Sequence, residues 1–152
     1  MSTSFVPCDG LETSDEAEAI SALCHDAQSF LLAHTWCGAL KSARFDYGFS
    51  KIAVFYFEIE PLMGADPNVW VVVGDGPPAY FSQVTMPTGK DALEGYVYEL
   101  KRWVEAIQRE QVDGSLMPLF ERGSFRKIEP SAQIADLLER RIRLISRLLE
   151  QG

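Results

Sequence analysis

Lysine and arginine are missing from the first 40 residues, where six acidic residues stand without a basic counterpart. Over the whole chain 14 basic face 22 acidic residues, for a formal net charge of −8. A phosphate backbone requires a basic footprint, so nucleic-acid binding is disfavoured. The imbalance is local, since residues 113–152 hold seven basic and six acidic residues. Histidine and cysteine are also scarce, at two and three. Cys8, Cys24 and Cys37 are odd in number and lack a framework spacing, which reads as free thiols in a reducing cytoplasm. No H-E-x-x-H and no paired C-x-x-C is present. Cys24 and His25 are adjacent, and neighbours on a helix point about 100° apart, so one ion does not easily take both. No metal site and no cofactor is expected. No apolar run approaches the roughly 20 residues that cross a bilayer, and no secretory segment follows Met1. The expectation is a cytoplasmic protein without membrane contact. Repeats, low-complexity tracts and interdomain linkers are absent too.

What is present suits one domain over residues 1–152. A chain of this length buries about 68–70% of its unfolded surface, enough for a real core. The hydrophobic fraction of 47% and charged fraction of 24% are ordinary for a globular chain. The acidic balance serves solubility and also suits docking on a basic protein partner.

Residues 1–12 carry Ser, Thr, Pro and Gly and are expected to be flexible. Thr13 and Glu16 fit a capping box. Ile20, Leu23, Cys24, Ala27, Phe30 and Leu31 then make one stripe of an amphipathic helix ending near His34 to Gly38. Strands are expected over 39–47, 51–60, 69–73 and 79–85. On the second, Ala53, Phe55, Phe57 and Ile59 point one way. Ile52, Val54, Tyr56 and Glu58 point the other, a face that turns acidic toward solvent. The gaps between these strands are too short for crossovers, so an antiparallel meander is expected. Pro87 and Thr88 open a second helix with the stripe Leu93, Tyr96, Val97, Leu100, Trp103, Val104 and Ile107. Residues 112–128 are irregular, although Leu116, Met117, Leu119, Phe120 and Phe125 call for burial. Pro130 suits the first turn of a last helix. Its stripe of Ile134, Leu137, Leu138, Ile142, Ile145, Leu148 and Leu149 either packs on the domain or meets its copy in a dimer.

The segment WVVVGDGPPAYF, residues 70–81, reads strand, rigid turn, strand. A glycine-rich phosphate loop needs a helix behind its glycines. Here two prolines without amide protons and an aromatic strand follow, so Gly74 to Pro78 is a structural turn that presents Asp75. His34 and Cys37 lie three apart. A thiolate and an imidazole base need contact to act together. Against that, Cys37 reads as a small buried hydrophobe and His34 as a helix-end residue. Glu58 and Glu60 share one strand face, with Asp66 and Asp75 in nearby loops. Paired carboxylates can divide acid and base roles, but a solvated edge is the simpler reading. An uncovered aromatic patch with Tyr56 and Glu58, joined by Tyr80 across the turn, would mark a partner or self-association surface. Coverage by the 112–128 loop or the last helix is the alternative.

WVVVGDGPPAY, the preceding VFYFEIEP and the downstream DALEGYVYELKRWVEAI together resemble a family of small bacterial proteins of unknown function. In that family an E-I-x-P strand end, a tryptophan strand, a G-D-x-P-P turn and an amphipathic helix ending in tryptophan occur in order. The resemblance covers about residues 30–107 and implies no activity. In size, acidity and layout the chain is also similar to immunity proteins that neutralise bacterial polymorphic toxins.

The expected fold is therefore α+β: an N-terminal helix, a four-stranded antiparallel meander and two C-terminal helices, with the helices mostly on one sheet face. The expected function is non-enzymatic protein binding, an immunity-type inhibitor being one version. Its contact residues would be Tyr56, Glu58, Glu60, Asp75 and Tyr80. The alternative is a small enzyme or ligand-binding domain, with a pocket between sheet and helices lined by Tyr56, Glu58, His34 or Cys37.

Overall fold

The two-residue alternation of residues 52–59 fixes the layering, because both of its sets are apolar at the start and each needs a cover. The computed structural model describes residues 5–11 and 16–151. Its elements are β1 (Cys8–Asp9), α1 (Ala17–Leu32), β2 (Cys37–Gly48), β3 (Ile52–Pro61), β4 (Asn68–Gly74), β5 (Ala79–Ser82), α2 (Gly89–Gln108) and α3 (Ala132–Gln151). The strands form one five-stranded sheet in the order β1-β2-β3-β4-β5.

Strands β2 to β5 pair antiparallel as a meander. The fifth strand corrects the sequence reading: β1 lies parallel to β2, with Cys8 opposite Ala43 and Asp9 opposite Arg44. It falls within the segment expected to be flexible. Gln28 of α1 holds it there. Its side-chain amide accepts from Val6 N at 2.8 Å and donates to Val6 O at 3.0 Å. The Gln28 side chain thus does for Val6 what a neighbouring strand would do, while being only 2% exposed. Two residues are too few to show any period, which is why β1 is invisible in the sequence. Thr13 of the expected capping box lies outside the described residues. Glu16 occupies the N-cap position of α1, and its carboxylate accepts the Ser50 amide at 3.1 Å.

The two C-terminal helices lie on one side of the sheet, as expected, and α1 covers the other face. Helix α1 lays Ile20, Leu23, Ala27, Phe30 and Leu31 on the face that carries Phe55, Phe57, Ile59, Val69 and Val71. Helix α2 covers Ile52, Val54, Trp70 and Val72 on the other. A fully buried side chain of this kind contributes about 1.5–3 kcal/mol, and β3 contributes such side chains to both layers. Helix α2 starts where the sequence places it: Thr88 Oγ1 accepts from Asp91 N at 3.1 Å, and Asp46 of β2 accepts the Gly89 amide at 3.0 Å. Both acceptors serve free amides at the positive end of the helix.

Helix α3 packs along α2, burying Ala135, Leu138 and Ile145, with Ile134, Ile142, Leu148 and Leu149 packed partly against the same core. Its stripe is therefore used within the domain. Ser131, not Pro130, meets its first turn, accepting Ile134 N at 3.2 Å. Among the described residues, no helix is long and apolar enough to cross a membrane.

Candidate functional site

The pleat of the sheet separates the residues that the sequence groups together. Tyr56 stands opposite Trp70, and Tyr80 stands opposite Val71. Successive residues of one strand face opposite ways, so Tyr80 shares the α1 face and Tyr56 the α2 face. Tyr80 does not join Tyr56. On the α2 side, Tyr56 meets Trp70 with ring centroids 4.9 Å apart, and the Arg44 guanidinium lies 5.0 Å from its ring centre. Glu58 accepts from Ser42 Oγ at 2.9 Å, and Glu60 is exposed two residues further on. Asp75 sits apart in the β4–β5 turn, 3.9 Å from Arg122 Nη1. Five expected contact residues thus fall in three places.

His34 and Cys37 are close in the chain, but no hydrogen bond joins their side chains. His34 Nδ1 lies 2.8 Å from Phe30 O, which fixes that nitrogen as the donor. Its Nε2 is buried without a hydrogen-bond partner. Burial holds the imidazole below its ordinary pKa and pushes the Cys37 thiol above its own. Both groups are thereby held neutral, the opposite of an activated thiolate–imidazolium pair. Instead His34 belongs to a ring cluster: Trp36 at 4.8 Å, Tyr80 at 5.2 Å and Phe120 at 5.5 Å between centroids. The three cysteines are free thiols. Cys24 is held below the ordinary thiol value, first by its interaction with the Cys8 thiol and then, against burial, by the Gln28 amide that donates to it at 3.6 Å. Among the described residues, no three His, Cys, Asp or Glu side chains form a metal-holding group.

Two of the concave places among the described residues adjoin residues singled out from the sequence. The first opens from the ring cluster. Trp36 and Tyr80, 4.8 Å apart, form the floor of a groove of about 270 Å³, whose other side is the β3–β4 loop with Met63, Ala65 and Asp66. That loop is tied down: Leu62 N donates to Trp36 O at 2.8 Å, and Ala65 N to Leu62 O at 3.1 Å. Asp66 accepts from Ser82 Oγ. Met63, at positive φ, projects from the loop with 82% of its surface exposed. Of the residues singled out from sequence, Tyr80 and Asp66 line this groove; Trp36 and Met63 were not singled out. An isolated Trp in a helix–strand connection and a Met in a loop carry no periodic signal, so only the fold brings them together.

The second place is a cleft of about 250 Å³ beside the β4–β5 turn, lined by Gly74 to Pro77, Phe120, Ile128, Leu137, Arg122 and Arg141. Neither concavity is lined by Tyr56, Glu58, His34 or Cys37. No protein-family model, no curated protein and no solved structure matches this chain.

Proposed function

We propose that this chain is a non-enzymatic protein-binding module that holds its partner at the Trp36–Met63–Tyr80 groove. The observation that carries the reading is Met63, almost wholly in water on a tied loop beside two half-buried aromatic rings. An exposed apolar side chain next to aromatic floor residues is the composition of an interface core. Asp66 at the rim and the net charge of −8 favour a basic partner, and charge of this kind acts mainly on the rate of encounter. An immunity-type inhibitor that covers the active site of a basic bacterial toxin is one concrete version. Support from the chemistry of the interior points the same way, because His34 and Cys37 are held neutral and no hydrogen bond joins their side chains.

The test is affinity capture from the native cell under mild salt, comparing the unaltered chain with Met63→Lys and Trp36→Ala. Met63 is exposed, so Met63→Lys leaves the core intact. A partner should be retained by the unaltered chain, and retention by Met63→Lys should fall about tenfold or more, as for a central interface contact. Equal capture by all three, or no partner at all, would sink the reading.

A further inference from the structure

We propose that the cleft beside the Gly74–Pro78 turn is a binding site for a small carboxylic acid carrying one apolar ring or short chain, held by Arg141. This site shares no lining residue with the groove proposed above.

The reason begins with charge pairing along α3 and its neighbours. Arg140 reaches Asp136 at 3.5 Å. Arg122 reaches Asp26 at 3.1 Å and Asp75 at 3.9 Å. Arg141 makes no ion pair and no hydrogen bond among the described residues, and its Nε is buried without an acceptor. A guanidinium with a buried donor and no acceptor is an incomplete arrangement. In this fold Arg141 lines the cleft and no acceptor there meets its guanidinium; its Nε is covered, so an oxyanion seated in the cleft would pair with the two Nη nitrogens.

The remaining walls narrow the class. Phe120, Ile128, Leu137 and Pro77 are apolar, which favours a hydrocarbon body behind the charged head. Apolar cavities of about 150 Å³ admit benzene, so about 250 Å³ accommodates one ring with its carboxylate. The planar guanidinium fork matches a planar carboxylate. Arg122 is already compensated by its two acids, and the Asp75 carboxylate also lines the cleft. One uncompensated cation beside one carboxylate suits a monoanion and disfavours a dianion such as a phosphate monoester.

The walls are also held in place. Tyr96 of α2 donates to Pro77 O at 2.7 Å, and the Asp75 amide donates to Lys51 O at 2.8 Å. On the opposite wall Phe120 bridges to Lys127, while Glu121 N donates to Arg126 O at 2.7 Å. This short hairpin carries Arg122 and leaves Phe120 facing the cleft. Gly76 lies so close to Tyr96 that an added Cβ would stand 2.5 Å from its hydroxyl oxygen.

Benzoate, benzamide and inorganic phosphate are the probes, titrated into the full chain while amide and arginine Nε–H resonances are followed. Benzoate should shift Gly74, Gly76 and Phe120 and the Arg141 Nε–H together, with one dissociation constant. Benzamide, the same shape without charge, should bind about tenfold or more weakly, as expected for loss of a charge-assisted pair. Phosphate should be weaker than benzoate. Arg141→Gln should abolish the shifts, whereas Arg140→Gln should keep them. Equal binding of benzoate and benzamide would overturn the proposal on the unaltered chain alone, whatever the variants do. So would shifts confined to exposed lysines, or phosphate binding more tightly than benzoate.

Discussion

At the residue scale, single polar atoms decide how the turn and the ring cluster are held. Tyr96 is wholly buried, which pushes its phenol pKa well up, and its hydroxyl donates to the Pro77 carbonyl. Tyr96→Phe removes that donor and leaves a carbonyl short of its partner. The expected loss is about 1–3 kcal/mol, read as a lower urea midpoint at unchanged slope. His34 gives a pH signature. Its folded pKa lies below the ordinary 6.5 because burial penalises the charged ring. The unfolded chain then takes up a proton first as the pH falls. His34 stabilises fully above about pH 6.5 and loses that contribution as pH drops toward its lowered folded value. Urea midpoints measured from about pH 7 to about pH 5 should therefore fall more steeply for the natural chain than for His34→Phe. Equal slopes would show that the imidazole is not the titrating group. The sequence placed His34 correctly at the end of a helix. It did not show the ring's setting, because Tyr80 and Phe120 arrive from far along the chain.

Elements with a clear period were legible, and those without one were not. The buried stripe of α1 is the set of residues that the 3.6 period picks out, with Gln28 as the one polar addition. The strands of the meander fall within a few residues of expectation. Strand β5 stops early because Ser82 turns the chain: Thr85 N and Oγ1 both donate to Ser82 O, and Val84 N to Ser82 Oγ. Strand β1 depends on the Gln28 amide, which needs one donor and one acceptor. Gln28→Glu keeps the shape, supplies only acceptors when ionised and buries a charge. It should release the segment Val6–Asp9, with amide exchange at Val6 rising sharply and stability falling by about 1–3 kcal/mol. Unchanged exchange at Val6 would mean that strand pairing with β2 alone holds the segment.

For the whole molecule, three layers follow from β3 being apolar on both faces at one end. The α+β class and the meander were readable from alternation and loop length. The placing of α1 on the face opposite the two C-terminal helices was not, because a stripe says that a helix is covered, not by what. The same limit governs the sites. Aromatic residues expected to form one patch were separated by the pleat, and the groove and cleft were assembled from loops whose neighbours no period reveals. Arg141 falls outside the apolar stripe of α3, yet it lies one turn beyond Leu137 at the cleft. Helix α3 places its stripe against α2. Light scattering should accordingly give the mass of one chain, 17.0 kDa. A mass of two chains would instead show a second use of that helix.

The Gln28 hold on the chain's early segment has one more consequence. Strand β2 runs for twelve residues, and β1 shields its outer edge only at Ala43 and Arg44. A bared strand edge offers unpaired amides and carbonyls to any other chain. The two-residue strand is thus a guard against runaway edge-to-edge aggregation, and the guard is latched by a neutral amide. A change at Gln28 that removes its donor would open the latch and bare that edge while the helices and the meander keep their own hydrogen bonds.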